Sequence, residues 1–597
     1  MFKKNPFKEA TISDILSLHF SLNYKSMNSQ KFLNISKPIS AYLLIIGIAF
    51  LPLLSIFINS KLPHTSDGAM HVIRSLAYYK EFVEGQFPVR WTSQFHYGYG
   101  TMLFNFVYPL PYIATLPLIF IGVSPVLLLK LGFAFTYVLA GIGMYAFALR
   151  FFKDKQTAFI VTLLYQFAPF RFVEMMVRGN IGSLYAYAIA PFLFLGIYLF
   201  IHNNKYFSWL LICLSVALIT LSHTIMGFAF LAVGGIFVLT LTKDFKKIAL
   251  TYFAFSTGLA MSAFFILPGI LEQKYTNGYL FTKDIFYHHF PSLTALFLPN
   301  FTDSPSLRIA EISVQIGLFQ VLALALSIYI FLKKSKSLNS KISIGFLILV
   351  TILTIIFMQP IAKPLWENIS FIRQFQFPWR FLGIITFTTA ILGGYVLKNY
   401  LLLRKRILYI TLCFLIIIST VYYWRPLQGY DNYAESFYWN YPITTNYFSE
   451  VNTIWMAEEP TSFPEKQIEI LSGEANIVDS YRKSTTHKYL IEAKSESTIL
   501  DRTYFFPGWK VYVNGNDVPI QFQDPAYAGM ITFKIPRGVH NIEVKFVQSK
   551  LQVLGNYISL FTIILNLVIL LIFLLKINLV NIIKQIFKFS KKIISQK

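Results

Sequence analysis

Just after its first hydrophobic stretch the chain reads Ser66-Asp67-Gly68-Ala69-Met70-His71-Val72-Ile73-Arg74. Asp67, His71 and Arg74 follow one another at i, i+4 and i+7, so a carboxylate, an imidazole and a guanidinium share one helix face. An acid beside a membrane helix with a cation further along suits chemistry on a phosphorylated lipid. The carboxylate can take a proton and the guanidinium can hold a phosphate. Ser66 or Asp67 also reads as an N-cap for the same helix, and the two roles are compatible. His71 reads as a support for Asp67, a phosphate contact, a metal ligand or a histidine at a wet interface.

The elements that must position these groups are membrane helices. The 597 residues are 55% hydrophobic and 13% charged, with mean hydropathy +0.55. Soluble domains carry about 25% charged residues. Apolar runs near 41–58, 125–149, 157–170, 183–201, 207–221, 224–242, 248–268, 310–332, 342–357, 381–397, 407–423 and 554–575 predict twelve spans. The first 37 residues lack a secretory core and cleavage site and read as a basic cytoplasmic extension. Cys213 and Cys413 both fall in apolar runs, so neither a disulfide framework nor a cysteine metal site is expected.

The formal charge of +24 reports orientation rather than a nucleic-acid partner. With the N-terminus inside, the inner segments hold 27 Lys and Arg against 4 Asp and Glu, while everything else holds 25 against 24. That asymmetry follows the positive-inside rule. Both termini are then cytoplasmic, in a cell (inner) membrane. Residues 101–122, interrupted by Pro109, Pro111 and Pro117, read as a re-entrant or surface-lying helix within a first outer loop of 60–124.

Candidate groups gather on the outer side. The 171–182 turn offers Arg171, Glu174, Arg178 and Asn180, and the next outer turn offers His223. Glu272 opens the 269–309 loop, which also carries Lys283, His288, His289 and Arg308. Arg373 and Arg380 close the 358–380 loop. Arg74, Arg90, Arg171, Arg178, Arg373 and Arg380 are candidates for gripping a lipid phosphate through paired hydrogen bonds, or for snorkelling to headgroups. Glu174, His223 and Glu272 are candidates for acceptor binding. Lys130, inside a span, is expected to pair with another helix, and His288-His289 to be solvated. Most of the aromatics, Tyr97, Tyr99, Phe104 and Tyr108 included, read as an interfacial belt.

Residues 425–553 have soluble-domain composition. Val511–Val513, Asn514-Gly515 and Val518–Ile520 read as a hairpin, and 531–535 and 542–547 as strands joined by a Pro536-Arg537-Gly538 turn. The expected architecture is an all-α polytopic membrane core at 38–424, an extracytoplasmic β-rich domain at 425–553, and a last span with a basic tail at 554–597.

Three strings carry a resemblance. Asp67 to Arg74 with Gly85-Gln86-Phe87-Pro88-Val89-Arg90-Trp91, and Gln376-Phe377-Pro378-Trp379-Arg380-Phe381, resemble the bacterial "6-pyruvoyl-tetrahydropterin synthase-related" membrane proteins. Tyr504-Phe505-Phe506-Pro507-Gly508-Trp509 resembles the YfhO-like membrane proteins. The whole arrangement resembles the GT-C superfamily of membrane glycosyltransferases.

This resemblance implies a catalytic acid in the first outer loop, where Asp67 stands, and a polyprenyl-phosphate-linked sugar as donor. Asp67 would then be the general base and His71 its catalytic neighbour. Arg74, Arg90, Arg171, Arg178, Arg373 and Arg380, with Glu174, His223 and Glu272, would bind substrate. Membrane lipids and a cell-envelope glycan, lipid or protein acceptor are the implied partners, and no nucleic acid is. Many GT-C enzymes pair two acids in this loop, whereas Asp67 is flanked by Ser66, Gly68 and Ala69, which leaves open whether a divalent metal is used. A non-ATP flippase of lipid-linked glycans and a catalytically silent scaffold are the alternatives.

Overall fold

The computed structural model describes residues 29–203, 205–278, 284–299, 313–333, 338–400, 404–443 and 451–575. Lys283, Arg308, most of the N-terminal extension and the basic tail from 576 lie outside the described residues. The longer helices are α1 (Ser29–Ile58), α2 (Gly68–Val83), α3 (Leu110–Phe120), α4 (Pro125–Phe152), α5 (Lys155–Gln166), α6 (Ile181–Asn203), α7 (Tyr206–Ser222), α8 (Thr224–Leu241), α9 (Phe245–Met261), α10 (Ala263–Leu271), α11 (Leu318–Lys333), α12 (Leu338–Phe357), α13 (Leu382–Asn399), α14 (Arg406–Ile418) and α15 (Lys550–Leu574).

Among the described residues six helices are long and apolar enough to cross a membrane, in α1, α4, α6, α8, α13 and α15. Counting each of three bent pairs as one span brings the number to nine. The twelve expected spans map onto these six helices, the three bent pairs, and the shorter α7, α11 and α14. Proline marks two of the bends. Pro169 follows α5, and the residue before it, Ala168, is forced into extended backbone (ψ 133°), so the next helical piece leaves at 50°. Pro360 does the same after α12, where the bend is 84°. Residues 101–122 form a short turn at Leu103–Phe106 and the eleven-residue α3.

The 171–182 segment departs from its expected form. It is a buried π-helical turn, Val173–Arg178, rather than an outer loop. Glu174 and Arg178, four residues apart, pair within it, and such turns recur at functional sites. α6 follows and is buried along almost its whole length, apolar on every side as a central helix must be. Lys130 on α4 donates to the Asn59 carbonyl at 2.5 Å, beyond the C-terminal end of α1.

Two short strands, β1 (Leu62–Pro63) and β2 (Tyr430–Asp431), pair antiparallel and fasten the chain just before Asp67 to the segment after α14. The β-rich region then makes two antiparallel sheets. One holds β4 (Ala475–Lys483), β5 (Thr486–Ala493), β10 (Gly538–Phe546), β7 (Trp509–Val513) and β8 (Asn516–Val518), in that order; the other is β3 (Ile468–Ser472), β6 (Ser497–Tyr504) and β9 (Met530–Ile535). They enclose Ile491, Ile499, Phe506, Trp509, Val511 and Phe533. The β7–β8 hairpin forms as expected, with Asn514 (φ 50°) and Gly515 (φ 84°) both left-handed at its turn. The strands β9 and β10 are present but do not pair with each other. The Pro536–Gly538 turn carries the chain from one sheet to the other, because both inner faces must contribute alternate side chains to one core.

Candidate active site

Asp67 is the N-cap residue of α2, yet its carboxylate does not cap; Thr65 Oγ1 accepts the Gly68 amide instead, at 3.1 Å. The carboxylate is thereby left for other work. Its backbone amide donates to the Arg178 carbonyl at 2.8 Å, and the Ser66 amide to Val177 at 3.0 Å, which joins the start of α2 to the π-helical turn. Asn180 Nδ2 donates to Asp67 Oδ2 at 3.3 Å, and Arg178 Nη2 lies 3.9 Å from the same oxygen. The Asp67 side chain is 35% exposed, while Arg178 and Glu174 beside it are buried.

Arg178 is held from two sides. Nη1 donates to Glu174 Oε1 at 2.6 Å, and the guanidinium lies 4.8 Å from the Trp379 ring centre. Arg380 follows Trp379 and donates to the Phe375 carbonyl at 2.9 Å and to Gln376 Oε1 at 3.0 Å. It lies within electrostatic reach of Arg178, Glu174, Asp67 and Tyr108. The 376–381 string therefore packs against the π-helical turn that flanks Asp67, although some 300 residues separate it from Asp67 in sequence.

His71 is buried one turn into α2, with Nδ1 3.0 Å from the Tyr112 hydroxyl. Arg74 engages the same phenol. Burial, then the positive charge of Arg74 and Arg178, hold the His71 imidazole well below the usual histidine range, so it is neutral near pH 7. His223 is the N-cap of α8 and stacks on Tyr108 at 5.2 Å between ring centres. Asp67, His71, Arg74, Glu174, Arg178, His223 and Arg380 thus converge from four segments: α2, the π-helical turn, the start of α8 and the 376–381 string. Three guanidiniums face two carboxylates, an excess positive charge around one partly exposed acid.

Four other candidates lie elsewhere. Arg171 sits in a box of tyrosine rings, with Tyr137, Tyr165 and Tyr187 at 5.7, 5.0 and 5.6 Å. Arg90 and Glu272 belong to a separate buried network. Arg90 donates to Asn105 Oδ1, Asn105 donates to Glu272 Oε2 at 2.9 Å, and Ser549 and Gln552 donate to Glu272 at 2.6 and 2.8 Å. That network ties the first loop and α10 to the start of α15. Arg373 donates to the carbonyls of Trp366 and Glu367, within its own loop. His289 is buried against Phe377 rather than solvated, while His288 is exposed.

Thr65, Tyr112 and the structural role of Asn180 are not evident from the sequence. None of the three carries a motif at its position: Thr65 accepts the Gly68 amide in place of Asp67, while Tyr112 reaches His71 and Asn180 reaches Asp67 only through the fold. Among the described residues no group of three or more His, Cys, Asp or Glu side chains could hold a metal ion.

Residues 102–427 match the family described as "6-pyruvoyl-tetrahydropterin synthase related domain; membrane protein". The match covers more than half of the chain, and the chain belongs to this family of membrane proteins. Among solved structures it is similar to the mycobacterial arabinofuranosyltransferase AftD, at 15% identity and TM-score 0.42, over 66% of this chain and 27% of that one. It is similar in the same measure to the oligosaccharyltransferase of Archaeoglobus fulgidus, at 15% identity and TM-score 0.42, over 66% of this chain and 56% of that one. A further structure of the archaeal enzyme AglB, in complex with an inhibitory peptide and a dolichol-phosphate, matches at 15% identity and TM-score 0.40, over 66% and 56% of the two chains. The chain thus spans about a quarter of the first protein and just over half of the second. No curated protein matches it.

Proposed function

We propose that this membrane protein is a GT-C-like glycosyltransferase that moves a sugar from a polyprenyl-phosphate donor to an acceptor hydroxyl on the extracytoplasmic face. One observation carries the reading: a partly exposed carboxylate, Asp67, excused from capping its helix, 3.9 Å from Arg178 and within electrostatic reach of Arg380, with Arg74 two turns along the same helix. The family likeness of the Asp67–Arg74 and 376–381 strings, which Arg178 links in the fold, supports it.

In this mechanism an acceptor O–H loses its proton to an Asp67 carboxylate oxygen. The acceptor oxygen attacks C1 of the sugar as the C1–O bond to phosphate breaks, and the configuration at C1 inverts. Arg380 and Arg74 hold the departing phosphate and stabilise its growing charge. Arg178, already committed to Glu174, positions Asp67 through the 3.9 Å contact. His71, neutral and bonded to Tyr112, keeps the first turn of α2 in place. Arg90 and Glu272 serve to moor α15 rather than to touch substrate.

The test is transfer by purified protein in lipid discs, with a panel of radiolabelled polyprenyl-phosphate sugars, wild type beside Asp67→Asn. Release or transfer of sugar by wild type alone is expected. Equal turnover in both removes Asp67 as the base. A donor that binds without reacting overturns the enzyme and leaves the flippase or the silent scaffold.

A further inference from the structure

The open face of the five-stranded sheet carries an ordered row of polar and aromatic side chains. Register places Tyr481 opposite Lys488, Lys488 opposite Glu543, Glu543 opposite Tyr512, and Tyr512 opposite Asp517. One row of side chains therefore crosses all five strands, with the two tyrosines three strands apart. At the usual strand spacing that separation is roughly 14 Å. The row's first four members, Tyr481, Lys488, Glu543 and Tyr512, line a concavity of about 840 Å³ together with Asp479 and Asn541.

A sheet face kept only for solubility is expected to carry few exposed aromatics. Here Tyr481 is 51% exposed on β4 and Tyr512 is half-buried on β7. Lys488 Nζ and Glu543 Oε1 are 3.9 Å apart, with the lysine mostly in solvent and the glutamate partly so, and the pair is too long to be a tight ion pair. The lining holds two lysines, Lys488 and Lys545, against two carboxylates, Asp479 and Glu543. This balance suits neither a polyanion nor a strongly basic partner. Flat rings to cover apolar C–H faces, with amide, carboxylate and ammonium groups between them to meet hydroxyls, match an uncharged carbohydrate. The volume is within the range of ligand sites, roughly 300–1,000 Å³.

We infer that this concave face binds a neutral oligosaccharide, stacked on Tyr481 and Tyr512 and hydrogen-bonded to the Lys488–Glu543 pair between them. The inference extends the proposed function by making the acceptor a glycan, and it rests on that reading only for this last step. Binding itself needs nothing from Asp67.

The experiment is retention of full-length protein, in detergent, on an immobilised panel of neutral hexasaccharides that includes cellohexaose and maltohexaose. Phosphatidylglycerol vesicles serve as the comparison. Wild type and Asp67→Asn are expected to bind at least one hexasaccharide equally, and Tyr481→Ala/Tyr512→Ala to bind it at least tenfold more weakly with unchanged thermal unfolding. Lys488→Ala, a milder change on the same row, should weaken it several-fold. Retention on no member of the panel overturns the inference. Equal binding by the double tyrosine variant does so too, as does tyrosine-dependent binding to the vesicles alone, which makes the face a membrane contact. Loss of sugar transfer in Asp67→Asn with glycan binding intact separates the two proposals.

Discussion

Gly179 lies against the amide of Gly68: a Cβ added to Gly179 would fall 2.9 Å from the Gly68 nitrogen and 2.3 Å from Thr65 Oγ1. Gly179 also has φ 67°, a conformation that side chains rarely adopt. Only glycine therefore lets Arg178 and Asn180 flank the start of α2 and reach Asp67 together. We expect Gly179→Ala to lower sugar transfer at least tenfold and to destabilise the protein by about 1–3 kcal/mol, by strain and displacement. Transfer at wild-type rate would show that the contact between the π-helical turn and α2 is dispensable.

The Glu174–Arg178 pair is buried on both sides. Removing one partner leaves the other charge uncompensated, a loss of roughly 3–5 kcal/mol. Glu174→Ala should therefore unfold at clearly lower temperature in detergent. The double variant Glu174→Gln/Arg178→Met should recover most of the stability but no transfer. Recovery of transfer by the double variant would mean that Arg178 positions nothing.

Histidine 71 makes a prediction about pH. Its ring is held neutral in the fold by burial and by Arg74 and Arg178, so its folded pKa lies below the unfolded value of about 6.5. Its contribution to stability is complete above pH 6.5 and is lost as pH falls below it. From about pH 5.5 to 8, His71→Gln should lower the transfer rate without removing any step from its pH profile. A wild-type step near pH 6.5 that vanishes in the variant would mean that His71 titrates during the reaction.

Asp501, in the sheet region, is fully buried and accepts from His487 Nδ1 at 2.7 Å, Tyr489 at 2.8 Å, Thr503 at 2.6 Å and Arg482 at 3.1 Å. Burial alone would raise its carboxyl, but His487, Arg482 and these hydrogen bonds outweigh it and hold the group well below the usual carboxylate range. The stability it adds is present above about pH 4 and declines as pH falls further. Asp501→Asn should cost roughly 3–5 kcal/mol at pH 7.5. In thermal melts the gap from wild type should narrow below pH 4, and a gap independent of pH would exclude the ionised carboxylate as its source.

Much of this arrangement is legible in the chain itself, for definite reasons. Hydropathy alone locates the apolar helices, and the Asn514-Gly515 dipeptide locates its hairpin. Asp67 and Arg380 are visible because each lies in a string with a family likeness. Long-range pairing is what the sequence withholds. Arg90 and Glu272 look like site residues by type and depth, yet Asn105, Ser549 and Gln552 are waiting for them in the fold. Arg178 and Glu174 are spaced for a helix, and nothing local says that the helix is wound as a π-turn. The separation of β9 from β10 is equally hidden, since alternation marks a strand without naming its partner.

One consequence of α2 concerns reach. Its first residues adjoin Asp67. Beyond its other end Glu84 accepts the Ser484 amide of the β4–β5 turn at 2.7 Å, while Lys80, in its last turn, donates to the Trp439 carbonyl at 2.6 Å. Sixteen helical residues make a rod of roughly 24 Å that neither stretches nor folds. The helix is thus a gauge block between the sheet and the acid. An acceptor engaged at both would have to match that length, and a short one could occupy either end but not both.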